Sequence, residues 1–292
     1  MIEDFPFRVP LPSLPEGKLE VEVPLPVERF REEEPLPAVG IDGGRAEVEV
    51  EAGGAVLIAL ACSYPDGDKK GWGVYTPSQG ESPAWKGAAL MTEPLLASFK
   101  EGLVFMDGSA STFVVSLASA LFAIESEPAC VREEFLERLE KGAEALVSLW
   151  GRAVFCPKII RKRHLAELVK RETGKEFPYS DLFLADLLLG EGEFVSFRSE
   201  VDRIKWPEEL PLRVSVVEEL NSLLRKRQVV YFKFKGCAYK VELWGDFEAG
   251  EILPKIVSFF VRGKNLLTAN ADKIAKRGTR CEIAINQVKV FL

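Results

Sequence analysis

A chain of 292 residues, 47% hydrophobic and 28% charged, has the make-up of an ordinary soluble globular protein, and the length suits one α/β domain with insertions. The net charge of −7 counts against a nucleic-acid binder at the level of the whole chain, although the local distribution of charge matters more than the sum. One histidine, His164, and five dispersed cysteines (62, 130, 156, 237 and 281) exclude a His-rich metal cage, zinc-knuckle spacing and any mechanism needing two histidines. A metal site would have to be built from carboxylates, which favours hard ions such as Mg²⁺ or Mn²⁺. No apolar stretch is long enough to span a membrane. The start, MIEDFPFRVP, is acidic and broken by proline, which is no signal-peptide pattern, so a cytoplasmic protein is expected.

Residues 1–38 hold eight of the 18 prolines and read as an extended arm, ahead of a domain over 39–292. Val39–Asp42, the alternating Arg45–Glu51 and the apolar Ala55–Ser63 read as strands, with Gly53-Gly54 as a hairpin signal. Asp66–Gly80 reads as a loop. Met91–Lys100 predicts a short helix, with Pro94 in its first turn. GLVFMDGS is a buried strand, and helices follow over Thr112–Glu125 and Val131–Trp150. RAVFCPK predicts a strand, Ile159–Arg171 a basic helix, and YSDLFLADLLLG a helix capped by Ser180. Val214–Arg227 is helical, and VVYFKFKGCAYKVELWG alternates across Gly236 as a hairpin. Helices near Ile252–Arg262 and Leu266–Arg277 and a last strand in CEIAINQVKVF complete the chain. Strands lead and helices then alternate with strands, so one α/β domain with a mixed central sheet is expected.

Asp42 and Asp107 each end an apolar run and precede glycine. Each suits a turn, for which Asp-Gly is a common dipeptide. If the two strands are neighbours, the carboxylates enter one crevice, and two such groups repel unless a cation lies between them. Glu93, fourteen residues before Asp107, is the candidate third carboxylate, or a helix-start residue favoured by the dipole. Glu81 and Glu101 are weaker substitutes. Lys158, Arg161, Lys162, Arg163, Lys170 and Arg171 form one basic segment, and Lys273, Lys276, Arg277 and Arg280 another; each is a solvated face or a phosphate contact.

Several segments in this order resemble the NurA family of nucleases: AVGIDGGR, LVFMDGS, AVFCPKIIRKRHL, YSDLFLADLLL and NLLTANADKIAK, spanning roughly residues 38–280. The resemblance implies an RNase H-like fold, a mixed central sheet flanked by helices with helical and hairpin insertions. It implies a Mn²⁺- or Mg²⁺-dependent deoxyribonuclease with two ions per site. Its substrates would be single-stranded DNA and DNA ends, cut endonucleolytically and from the 5′ side in end resection and recombinational repair. It also implies a homodimer docked on a hexameric HerA-type ATPase. Carried over by position, Asp42, Glu93 and Asp107 would ligate metal and Lys158 would steady a phosphate. Arg161, Lys162, Arg163 and Arg277 would guide the strand, with Trp72 or Trp85 available for base stacking. Asn270 stands where the family has a metal-binding histidine and would itself be a metal ligand through its carbonyl oxygen, with Asp272 two residues on as the alternative; Arg262 stands near a family tyrosine. That departure favours a weaker second metal site or a non-catalytic DNA-binding scaffold. A nucleotide-binding protein of the actin-like or sugar-kinase type is the rival outside the family, because Asp-Gly turns after strands also suit a phosphate loop.

Overall fold

The computed structural model describes residues 25–49, 54–77, 82–157, 163–174, 176–198 and 204–290, with side chains described as far as Thr279. In chain order the elements are β1 (Glu28–Arg29), β2 (Ala38–Glu49), β3 (Ala55–Tyr64), β4 (Lys69–Thr76), α1 (Pro83–Leu90), α2 (Thr92–Ala97), β5 (Leu103–Asp107), α3 (Ala110–Ala123) and α4 (Ala129–Ser148). They continue with β6 (Ala153–Cys156), α5 (His164–Thr173), α6 (Asp181–Leu188), β7 (Glu193–Arg198), α7 (Val214–Lys226), β8 (Gln228–Phe234), β9 (Cys237–Trp244), α8 (Ala249–Ile256) and α9 (Leu266–Val290).

Among the described residues these strands form one mixed sheet in the order β1-β7-β8-β9-β6-β5-β2-β3-β4. β2, β5 and β6 run parallel, and the other pairings are antiparallel. The run β4-β3-β2-β5-β6 is a three-strand meander continued by two parallel strands, the RNase H-like arrangement. β5 explains why its sequence is apolar throughout. Val104 and Met106 enter a core with Trp85, Phe113, Phe135 and Phe155, while Leu103 and Phe105 enter a second with Phe232, Leu253 and Leu267 on the other face. A strand covered on both faces has no reason to alternate. Phe30, from the proline-rich arm, packs into the second core; residues 1–24 of the arm lie outside the described residues.

Three elements differ from the sequence reading. β2 runs unbroken through Asp42-Gly43-Gly44, paired residue by residue with β3, so this Asp-Gly is no turn. Glycine is tolerated there because α9 crosses β2 closely: a side chain on Gly40 would overlap the Leu267 backbone, and one on Gly44 would meet Thr279 Cγ2 at 3.1 Å. Lys69–Thr76 is a strand, not a loop, because β3 supplies its ladder whatever the propensity of Gly71 and Gly73. The final segment extends α9 rather than forming a strand. No proline or glycine interrupts 279–290, and a formed helix propagates cheaply. Three elements were not anticipated, β1, α1 and β7. No helix among the described residues is long and apolar enough to cross a membrane.

A candidate carboxylate site beneath the last helix

The parallel register of β2 and β5 ends with Ile41 beside Met106. The next residues along, Asp42 and Asp107, therefore stand on neighbouring strands, about 4.8 Å apart across the sheet. Ile41 and Met106 both point into the core under α1–α4, so alternation turns Asp42 and Asp107 to the opposite face, towards α9. Asp42 is directly opposite Cys62 of β3, and Asp107 is paired with Cys156 of β6. The row Cys62–Asp42–Asp107–Cys156 thus crosses four strands on one face. Asp42 is 5% exposed and its Oδ1 accepts the Gly43 N–H at 2.7 Å. Burial pushes both thiols above their ordinary value, Cys156 far more, and the negative charges of Asp42 and Asp107 push the same way on Cys62 and Cys156 respectively; Lys69 opposes this at Cys62.

The helix above can be placed by arithmetic. Gly40 meets Leu267, and Gly44 meets Ala275 and Thr279. Two strand residues cover the length of about four helical ones, so the turn carrying Asn270 and the fully buried Ala271 lies over Asp42. Ile274 packs with Leu60 and Cys62, and Asn270, one turn before it, shares that β3-side flank. Asp272 is on the other flank, in a cleft of about 370 Å³ that includes Cys156, Lys240, Lys264, Lys273 and Lys276. The cleft opens beside Asp107 and is basic although the chain is acidic; the Asp272–Lys276 pair (2.8 Å) and the buried Lys240–Glu242 pair (3.1 Å) neutralise part of it.

Glu93 is nearly buried, in the first turn of α2. A Cβ on Gly43 would lie 2.6 Å from its Oε1. Gly43 alternates with Asp42, so Glu93 meets β2 from the face opposite the aspartates. Correspondingly, among the described residues no three His, Cys, Asp or Glu side chains are gathered closely enough to hold a metal ion. The donor chemistry nevertheless suits a hard divalent cation: two carboxylates share one face, and a third lies against the backbone next to the first.

Lys158, Arg161 and Lys162 lie outside the described residues, as does Glu81. Glu101 is exposed. Arg163 is exposed just before α5, and Arg277 is exposed on α9, two turns beyond Asn270 on its flank. Trp85 is 1% exposed and so is closed to base stacking. Trp72 packs on Trp85 and Phe135, with the Arg138 guanidinium 4.8 Å from its ring.

Two polar clusters were not legible in the sequence. Asp181, 1% exposed, accepts the N–H groups of Leu165 (2.9 Å) and Ala166 (3.1 Å) and the Tyr231 hydroxyl (2.6 Å), which anchors the start of α5. Arg227, Lys240 and Glu242 form a buried ion cluster below the Asp107 turn. Charged residues inside the apolar β8–β9 hairpin, and an arginine closing α7, were the available signals for the second.

No family model and no curated protein matches the sequence. Solved structures do match. NurA with manganese is 12% identical with a TM-score of 0.56, covering 87% of this chain and 89% of that one. NurA bound to dAMP and manganese is 11% identical with a TM-score of 0.54, covering 84% and 85%. A further NurA structure is 12% identical with a TM-score of 0.52, covering 87% and 86%. The similarity covers most of both chains, and the chain therefore has a NurA-like fold.

Proposed function

We propose that this chain is a divalent-metal-dependent DNA nuclease working at Asp42 and Asp107. The observation that carries the reading is the placement of those two carboxylates, side by side beneath α9, in a fold shared with NurA structures that hold manganese. Adjacent carboxylates at a part-buried site repel, and a cation relieves the repulsion. Asp42 and Asp107 would hold it, with Glu93 as the third carboxylate and Asp272 offering an oxygen on the Asp107 side. A bound Mn²⁺ or Mg²⁺ lowers the pKa of an attacking water and stabilises the charge that develops on a phosphodiester, so no histidine base is required.

The chain's own residues supply the rest. Lys264 and Lys273 line the cleft beside Asp107 and attract a phosphate backbone that the net charge would otherwise repel. Lys158, two residues after Cys156, would steady a phosphate, and Arg161, Lys162, Arg163 and Arg277 would extend the basic track. Single-stranded DNA and DNA ends are the proposed substrates, with a second copy of the chain and a HerA-type ATPase as partners; the order of the sequence motifs supports these.

The test is cleavage of end-labelled single-stranded DNA with Mn²⁺. Asp42→Asn and Asp107→Asn should each reduce the rate by on the order of a hundredfold or more at unchanged fold. Undiminished cleavage by either variant would remove that residue from the site. A second reading, a non-catalytic scaffold that binds DNA, is favoured by the separation of Glu93 from the aspartate pair and by Asn270. DNA binding by the wild type without Mn²⁺-dependent cleavage would select it.

A further inference from the structure

Glu242 lies on β9, across β6 from the strand that carries Asp107. It is 1% exposed, and its carboxylate has three donors. Oε2 accepts the Ala110 N–H at 3.1 Å and Arg227 Nε at 3.1 Å, and Oε1 accepts Lys240 Nζ at 3.1 Å. Arg227, 0% exposed, also donates from Nη2 to Ser111 Oγ (3.1 Å) and from Nη1 to the Leu224 carbonyl (2.6 Å). Ala110 and Ser111 open α3, and only Gly108 and Ser109 separate them from Asp107. Gly108 has φ +94° and donates its N–H to the Cys156 carbonyl at 3.3 Å. The short connection from Asp107 to α3 is therefore fixed at both ends, by the β5–β6 ladder on one side and by the ion cluster on the other.

Such a cluster is a poor device for stability alone, since apolar residues of similar volume commonly replace buried ion pairs without loss. It is well suited to fixing a direction, because a carboxylate accepting a specific N–H sets where the helix starts. We propose that Glu242 is a positioning residue: through the Ala110 N–H, with Arg227 and Lys240 holding the carboxylate, it sets the Asp107 turn so that the Asp107 carboxylate faces Asp42 for cation binding. The assignment rests on the metal-dependent reading of the aspartate pair.

The experiment compares Mn²⁺ binding, by calorimetry and by paramagnetic resonance of free Mn²⁺, in the wild type and in an apolar replacement of the cluster, Glu242→Leu with Arg227→Met and Lys240→Met. Thermal unfolding in EDTA checks the fold. The replacement removes one net positive charge, which by itself would strengthen cation binding, so weaker binding reports positioning. The expected loss is on the order of 10- to 100-fold in affinity, the range for residues that orient metal ligands. Glutamine at 242 in the same background restores an acceptor for Ala110 and should recover most of it. In an Asp107→Asn chain the apolar replacement should change Mn²⁺ affinity no further, whereas a merely structural role would weaken it again.

Should the apolar chain not fold, the wild type carries the test. Exchange of the Ala110 amide should slow as Mn²⁺ saturates, because coupling is reciprocal, and an indifferent amide would overturn the proposal. Wild-type affinity in the folded apolar variant would overturn it too, and does so alone if the wild type cuts DNA. A wild type that binds Mn²⁺ and cuts no DNA instead ends the nuclease reading and leaves the positioning role standing.

Discussion

Asp42 owes its position to the glycines around it, and each has a measurable consequence. Gly40→Ala would drive a Cβ into the Leu267 backbone. Backbone cannot yield as a side chain can, so a stability loss of about 1–3 kcal/mol is expected in thermal or denaturant unfolding. Gly43→Ala meets the end of the Glu93 side chain instead. It should lower the melting temperature less than Gly40→Ala while weakening Mn²⁺ binding, if Glu93 is the third carboxylate. The two thiols beside the aspartates report on the same row. Burial first, and then the neighbouring carboxylate, raises Cys156 well above an ordinary thiol, and Cys62 is raised as well. Both should resist iodoacetamide at pH 8 in the native protein, where the exposed Cys130 reacts. Mass spectrometry of the alkylated peptides decides this; native labelling of Cys156 at the rate of Cys130 would contradict the placement. Because the folded Cys156 pKa is raised, its contribution to stability is complete below the ordinary thiol value and declines as pH rises above it.

At the scale of elements, the sequence was readable where one local signal dominated. Gly236 between two alternating runs marks the β8–β9 hairpin, and Ser180, whose side chain accepts the Phe183 N–H at 3.3 Å, marks the start of α6. It was unreadable where a partner decides. β4 has glycine at 71 and 73 and exists because β3 pairs with it. Gly43-Gly44 reads as a turn and is strand because α2 and α9 press on it from either face. Asp181 is the first residue of α6, yet its side chain holds the start of α5. Asp181→Ala should cost about 2–3 kcal/mol, since it strands the buried Tyr231 hydroxyl and two N–H groups, and should speed amide exchange at Leu165 and Ala166. The Glu242 cluster has a pH signature. Burial pushes its carboxyl up, but Lys240 and Arg227 outweigh burial and hold it below its ordinary value. A carboxyl depressed by folding stabilises above its unfolded value and loses that contribution as pH falls through the folded one. Acid unfolding below about pH 4.3 should accordingly be steeper in the wild type than in the apolar replacement; equal slopes would contradict the ionised cluster.

Across the whole molecule, the fold class followed from the alternation of strands and helices, and the aspartate pair from two matched apolar runs ending in Asp-Gly. Which face each carboxylate takes depends on strand register and on the crossing of α9, and neither is local to a motif. Asp42 and Asp107 thus fall on neighbouring strands and on one face, while Glu93 meets β2 from the opposite face. The same register leaves Asn270 and Asp272 on different flanks of one helix, a distinction of side that spacing along a sequence near a missing histidine does not convey. The basic cleft beside Asp107 was hidden in the same way, since Lys264, Lys273 and Lys276 reach Cys156 only once β6 and α9 are in place. The central claim is that the aspartate pair binds a divalent cation. Anomalous diffraction from crystals soaked in millimolar Mn²⁺ tests it most directly. The expected map has manganese within coordination distance of both Asp42 and Asp107; no manganese at the pair, from a preparation that cleaves DNA with Mn²⁺, would contradict it.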